Sequence, residues 1–449
     1  MIKIKKVDAI AELNKRNISS KDNLEFINYL DTSSITKNNI SSIQFLDKDF
    51  PSRAKRKVQN KTILYSTVRP EQEHYGIAEN LNIENFIVST GFTTIDVTSS
   101  EVEPKFLYYL LTQPSIIQYL QGIAENSVSA YPSIKPEVIG ELRFRFPSLQ
   151  TQQKIASILS ALDDKIELNN RTSTELEKMA KLIYEYWFVQ FDFPFDFRKD
   201  KPADETSRAE DIKPYKSAGG KMVWNKELKR EIPEGWEVGD LEELSDFNPS
   251  LKIGRNAVAP YLGMTSISTS GYMTEIPEEK GFTGGIKFQN GDIVVARITP
   301  CLENGKTALI TMLEEGSIGF GSTEFINIRA KEKCHISYLA ILCRSDSFRN
   351  YAISKMTGTS GRKRVDAKEL AKFRLPVPPD NLLKKYGDLI DPYFQKMTSN
   401  ANQNQELASL RDWLLPMLMN GQVTVPDAEE LVEEKLGMVA EERGSYGNK

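Results

Sequence analysis

Residues 152–188 read QQKIASILSALDDKIELNNRTSTELEKMAKLIYEYWF, without a glycine or a proline. Ile155, Leu159, Leu162, Ile166, Asn169, Ser173, Leu176, Ala180, Ile183 and Trp187 follow one another at alternating spacings of four and three. That is a heptad seam, the stripe one helix presents to another, with polar residues at its middle. Pro147 precedes the stretch, Ser148 or Thr151 supplies its cap, and Pro194 lies beyond its end. At 1.5 Å per residue the helix is a rod of about 55 Å, longer than the helices of ordinary globular domains.

A second seam lies 231 residues further on: Tyr386, Ile390, Tyr393, Met397, Asn400, Asn404, Leu407, Arg411, Leu414 and Leu418. Asn169 returns as Asn400, Lys165 as Lys396, and Glu175-Leu176 as Glu406-Leu407. A lone Asn in an apolar seam costs stability and fixes register and partner. Its recurrence predicts that the two helices pair with each other about a local two-fold. The pairing residues are Leu162, Ile166, Asn169, Leu176, Met397, Asn400 and Leu407. Pro392 predicts a bend, and Arg411 a less regular second helix.

The repeat extends beyond the helices. NYLDTSSI (28–35) matches PYLGMTSI (260–267), ILYSTVRP (63–70) matches IVVARITP (293–300), and STGFTTI (89–95) matches STEFINI (322–328). FLYYLL (106–111) falls against YLAILC (338–343), and LRFRFP (142–147) against FRLPVP (373–378). Repeats of this length are duplicated domains. Short β-branched runs separated by turn residues, with an amphipathic helix over 104–120 and 336–353, make each copy α+β with a twisted sheet. The expected order is a first domain over 1–149, a long helix over 150–190, a connector over 191–235, a second domain over 236–379, a second long helix over 380–420 and an acidic tail over 421–449. The connector, rich in charge, Pro and Gly, reads as an exposed strap along the surface, long enough to span the rod. The tail reads as a short exposed helix or as disordered chain.

A chain of 449 residues exceeds one core. The longest apolar runs fall short of a membrane span, and the first residues, MIKIKKVDAIAELNKRN, do not have the pattern of a secretion signal. Cys301, Cys334 and Cys343 make no disulfide framework and fit a reducing cytoplasm. The net charge is −4, and residues 421–449 hold seven acids against three bases, so the remainder is balanced. Charge alone neither supports nor excludes nucleic acid, since a neutral chain holds local basic patches.

The chain carries almost no motif that supports catalysis. His74 and His335 are far apart in sequence, and Cys334-His335 with Cys343 lacks the spacing of a zinc knuckle. Gly305-Lys306-Thr307 ends like a phosphate loop, but Pro300 stands where its first glycine belongs. Gly319-Phe320-Gly321 resembles part of a methyl-donor loop, without the aromatic set that holds a flipped base. No catalytic residue, metal ligand or cofactor is therefore assigned. Basic clusters at loop-like places remain: SRAKRK (52–57) with Arg53, Lys55, Arg56 and Lys57, SAYPSIK (129–135) with Ser129, Tyr131, Ser133 and Lys135, and GTSGRKR (358–364) with Ser360, Arg362, Lys363 and Arg364. The last two hold the same repeat position. Arg69 and Arg297 in the matched strings, and Lys306, complete the candidate set. Arg takes guanine bidentately, Lys neutralises phosphate, and Ser bonds base edges or backbone.

The chain resembles the specificity subunit of type I restriction-modification systems over nearly its whole length. FRFPSLQTQQKIASILSALDDKIELNNRTSTELEKMAKLIYEYWFVQFDFPF (144–195) resembles the family's central conserved region. PYKSAGGKMVWNKELKREIPEGWEVGDLEEL (214–244) resembles the approach to its second target-recognition domain. LPVPPDNLLKKYGDLIDPYF (375–394) resembles the distal conserved region, without the glutamine that Gln152 or Gln153 supplies in the first copy.

The resemblance implies two target-recognition domains separated by two long helices packed antiparallel; the seam alone left parallel packing open. It implies a double-stranded DNA target of two unlike half-sites about 34 Å apart with an unread spacer. It also implies partners: two methyltransferase subunits that methylate adenine from S-adenosylmethionine, and restriction-translocase subunits that join through them. The chemistry then sits in the partners, and the chain itself is a non-catalytic cytoplasmic subunit. Two other readings stand beside this one. One is a self-contained DNA methyltransferase or nuclease, which binding of the methyl donor by the isolated chain distinguishes. The other is a coiled-coil adaptor that binds only protein, which salt-dependent DNA binding argues against.

Overall fold

The computed structural model describes residues 3–19, 21–79, 81–126, 132–359 and 361–445. The chain divides into two compact units, one of Met1–Glu167 with Glu406–Lys449, the other Leu168–Gln405.

In the first unit a four-stranded antiparallel sheet has the order Ala11–Leu13, Phe92–Val97, Ile63–Ser66, Tyr75–Ile77. A second sheet has the order Gln44–Leu46, Ile27–Leu30, Phe86–Ser89, Ala54–Lys57, with a parallel pair at its centre. Lys3–Lys6 pairs antiparallel with Arg143–Phe146. Ile63–Ser66 and Phe86–Ser89 are buried at every position, which is why ILYS and FIVS run apolar without strict alternation. Phe106, Leu107, Leu110 and Leu111 cover the first sheet's core and are at most 2% exposed.

The second unit repeats this plan strand for strand. Its first sheet runs Ser245–Phe247, Phe325–Ala330, Asp292–Ala296, Thr307–Leu309; its second runs Glu278–Gly281, Val258–Leu262, Gly319–Gly321, Ile286–Phe288. The central pair of the second sheet is again parallel, and Glu237–Asp240 pairs with Arg374–Val377. The doubling seen in the strings is thus a doubling of topology. Gly319-Phe320-Gly321 is an inner strand here, and its glycines answer to packing. A Cβ on Gly319 would lie 2.5 Å from the Phe288 ring, and one on Gly321 2.5 Å from the Leu262 carbonyl.

Three expectations change. The amphipathic helix of each copy is two helices: Pro104–Leu111 and Pro114–Glu125 in one, Ile336–Arg344 and Asp346–Ser354 in the other. Pro114 stands at the start of the second helix, where its missing N–H is harmless. Ser345 caps the equivalent helix by accepting from the Phe348 amide. The stretch between the halves is not an exposed strap. It folds into a three-stranded sheet (Pro194–Asp196, Lys201–Pro202, Ile212–Pro214) and a hairpin (Met222–Asn225 with Arg230–Pro233). Its FDFPF motif buries Phe191, Phe193 and Phe195, and Phe193 stacks on Tyr215 and Trp236 at 4.8 and 5.4 Å. The tail forms a helix, Val425–Ser445. That helix is not simply exposed, because Ala428 and Val432 join the first unit's core.

The first long helix spans Leu149–Tyr184 and ends in a wider turn over Glu185–Val189. Ser148 is its cap, its Oγ accepting from the Thr151 amide. The second spans Asp380–Asn420 and is helical through Pro392. Within the second unit the helices pack antiparallel. Asn169 Nδ2 donates to Gln403 Oε1 and Asn404 Oδ1 at 2.7 and 2.9 Å, while further along the first helix the Ala180 carbonyl accepts from Tyr386 Oη. Asn400 Nδ2 donates to Ser173 Oγ and the Asn169 carbonyl. Met397 and Asn400 are buried, with Leu176 partly buried beside them. Within the first unit Leu162 and Leu407 are fully buried, Ile166 partly so, and Asp163 pairs with Arg411.

Candidate nucleic-acid interface

Each copy builds one backbone junction from three segments: the loop after an inner strand of the first sheet, the short turn where the chain passes from the second sheet to the first, and the basic segment near the domain's end. In the first copy the Thr67 amide donates to the Gly91 carbonyl, the Ile134 amide to the Thr67 carbonyl, and the Arg69 amide to the Pro132 carbonyl, each at 2.9 Å. In the second copy the Arg297 amide donates to the Glu324 carbonyl at 2.9 Å, the Val365 amide to the Arg297 carbonyl at 3.0 Å, and the Thr299 amide to the Lys363 carbonyl at 3.1 Å. The bonds correspond one for one at offsets of 230–233 residues. Val68 bridges Ser133 in one frame as Ile298 bridges Arg364 in the other.

The side chains on this shared frame differ. Where the second copy has Arg297, Glu324 and Arg364, the first has Thr67, Gly91 and Ser133. Glu324 takes Arg364 side-on. Arg364 Nε lies 2.9 Å from one carboxylate oxygen, and Nη2 lies 2.7 Å from the other. That hydrogen bond holds the Glu324 carboxyl below the usual carboxylate range against a small burial cost, and Arg297 adds to the effect. Arg362 and Lys363 are exposed beside them. Lys306, half-buried, donates to the Met264 carbonyl at 2.7 Å, so part of its capacity is used inside the domain.

In the first copy Arg53 is exposed and its carbonyl accepts from the Thr90 amide at 2.8 Å, which seats it at the same turn. Arg69 has φ 46°, left-handed backbone that a non-glycine residue adopts at a cost. Ser133 is half-buried, and Lys135 is exposed and starts the helix Pro136–Glu141. Ser129, Tyr131 and Ser360 lie outside the described residues.

The first basic cluster is not a loop. Ala54–Lys57 is an edge strand. Lys55 is exposed on it, whereas Arg56 Nη1 donates to Asn17 Oδ1 at 2.7 Å and Lys57 forms an ion pair with Asp22. Burial pulls the Arg56 guanidinium below its usual pKa. The Lys57 ammonium, followed by the Ser19 amide and hydroxyl, holds Asp22 at about 2. Arg53 and Arg69 meet the shared frame, while Arg56 and Lys57 are occupied along the edge of the strand. Sequence reasoning missed Glu324. The signal was present, because Glu324 stands opposite Gly91 in the matched strings STEFINI and STGFTTI.

Among the described residues no group of three or more His, Cys, Asp or Glu side chains could hold a metal ion. Cys343 is buried, and that burial pushes its thiol well above the usual range.

The family model of the type I restriction modification DNA specificity domain matches residues 2–178 and again residues 233–409. The chain belongs to that family. Both limits of the match shift by 231 residues, the offset of the two seams. Curated relatives include the type I restriction enzyme HindI specificity subunit of Haemophilus influenzae, 25% identical over 454 residues that cover 91% of this chain and 97% of that one. Another is the type I restriction enzyme MjaIX specificity subunit of Methanocaldococcus jannaschii, 23% identical over 88% of this chain and 87% of that one. Among solved structures, the type I restriction-modification system S subunit from M. genitalium is similar over 93% of this chain and 96% of that one, at 16% identity and a TM-score of 0.52. That likeness concerns the fold. For this specificity-family chain, the fold class of two similar α+β recognition domains with two long helices therefore stands on sequence and structure together.

Proposed function

We propose that the chain reads a bipartite, asymmetric DNA target, one half-site per recognition domain, across a fixed spacer that it does not read. The observation that carries this is the shared frame: three equivalent backbone hydrogen bonds in each copy, dressed with Thr67, Gly91 and Ser133 in one and Arg297, Glu324 and Arg364 in the other. One scaffold with two side-chain sets is what two unlike half-sites require, because base edges are read by side chains while the backbone sets position. Arg53, Lys55, Arg69, Ser133, Lys135, Arg297, Arg362, Lys363 and Arg364 are the contact candidates. Arg56 and Lys57 on the edge strand, and Lys306 just before Thr307–Leu309, are further candidates whose donors are shared with Asn17, Asp22 and the Met264 carbonyl. The two long helices separate the half-sites and, with the recognition domains, scaffold two methyltransferase subunits, through which restriction subunits join. The chain itself performs no chemistry and works in the cytoplasm.

Mapping modified adenines in cells that make the chain with its methyltransferase partner tests this. Two short defined sequences with a constant gap are expected. A single continuous motif would end the proposal.

A further inference from the structure

The clamp on Arg364 specifies more than a charge. A guanidinium has five N–H groups. Glu324 takes Nε–H and one hydrogen of Nη2, with contacts of 2.9 and 2.7 Å. What remains is the end of the fork, one N–H on Nη2 and two on Nη1, with two of these parallel. Parallel N–H groups match the O6 and N7 acceptors of guanine in the major groove. The side chain is 42% exposed, and its hydrogen bonds among the described residues use Nε and Nη2 but not Nη1. Its backbone is fixed by bridges to Ile298 and Thr357, which restricts where that end points. Arg329 makes an internal comparison. Asp292 grips it by the same two nitrogens at 2.7 Å, but Asp292 is 1% exposed and also holds Asn327 Nδ2, so that pair belongs to the core.

We infer that Glu324 and Arg364 together form a guanine reader, with Arg364 touching the base and Glu324 positioning it. This reader specifies one G·C pair in the half-site of the second recognition domain. The first domain carries Gly91 and Ser133 at these places and reads the equivalent base pair without an arginine from this position.

The inference rests on the reading of two half-sites above, and its test separates the two. The complex of the chain with its methyltransferase partner is given duplexes in which each half-site position is varied in turn. With the wild-type chain, one half-site should hold a G·C pair whose replacement lowers methylation. Arg364→Ala should reduce the preference for G·C at that single position about ten- to a hundred-fold, the discrimination one bidentate contact supplies. Arg364→Lys should lose it as well, since an ammonium has no fork. Glu324→Gln should weaken the same position to a smaller extent and leave the other half-site unchanged, a shift in base preference that a purely structural role would not produce. Preference retained in Arg364→Lys would mean that only charge matters. Equal loss at both half-sites, or complete loss of methylation with all three variants, would make the pair structural. Any of these results overturns the inference while leaving a bipartite motif standing. A wild-type motif that is not bipartite overturns the parent reading instead.

Discussion

Asp163 and Arg411 meet at 2.7 Å inside the first unit, one from each long helix, and Tyr109 Oη donates to the same carboxylate at 2.6 Å. Burial alone would lower the Arg411 guanidinium, yet Asp163 and Asp412 outweigh it and leave it above its usual value. At the 231-residue offset these positions become Phe394 and Ala180, both buried in the apolar core of the second unit. The two copies thus hold their helices with different chemistry at equivalent places.

Removing Arg411 strands the desolvated Asp163 carboxylate, whereas Arg411 keeps Asp412 when Asp163 is removed. Arg411→Ala should cost about 3 kcal/mol, the lower end of the range for buried pairs because both side chains keep some solvent, and Asp163→Ala should cost less. The double change Asp163→Phe with Arg411→Ala copies the other unit and should recover most of the loss. Denaturant midpoints of the single and double variants measure this, and additive losses would contradict it.

The Asn layer sets pairing more than stability. Asn169 and Asn400 are 2% and 1% exposed, and among the described residues Asn400 Oδ1 has no hydrogen-bond partner. Replacing both with Leu should leave the thermal midpoint equal or higher while broadening the distribution of oligomers, because polar seam residues trade stability for register. Light scattering after size-exclusion chromatography checks it. A single monodisperse species with a lowered midpoint would refute it.

The Asp22–Lys57 pair gives an acid-side signature. Asp22 is held at about 2, below its ordinary 3.8. A depressed carboxylate stabilises the fold at pH values above the ordinary value, and that contribution is lost as pH falls through about 2. Lys57→Met should return the Asp22 titration, followed by NMR, most of the way towards 3.8, while the Ser19 hydrogen bonds keep it slightly low. An unmoved titration would mean that Ser19 alone sets it.

If the paired helices set the spacer, inserting seven residues into each should lengthen it. Seven preserve the heptad and add about 10 Å at 1.5 Å per residue, roughly three base pairs at 3.4 Å. Insertions after Glu167 and after Gln405 fall where the two compact units divide. Methylation mapping should show the same half-sites with a longer gap, and an unchanged gap would exclude the helices as the ruler.

The sequence by itself determined the doubling, the two long helices, their polar middle layer and the family. These are written in periodic apolar positions and in strings that return at one offset, both properties of local order along the chain. Only the tertiary structure decided the direction of helix packing, because Asn169 and Asn400 match in either orientation until Gln403 and Asn404 are seen beside Asn169. It also turned the 191–235 stretch from a strap into a folded element, since the value of Phe191, Phe193 and Phe195 depends on Tyr215 and Trp236 folding back onto them from further along the same part of the chain. The basic clusters were visible as composition, but which charges are occupied was not. Lys57 is neutralised by Asp22 and Arg364 is oriented by Glu324, across separations of 35 and 40 residues that no local pattern encodes. Charge follows from residue type; the direction of a donor follows from its partner, and partners are chosen by the fold.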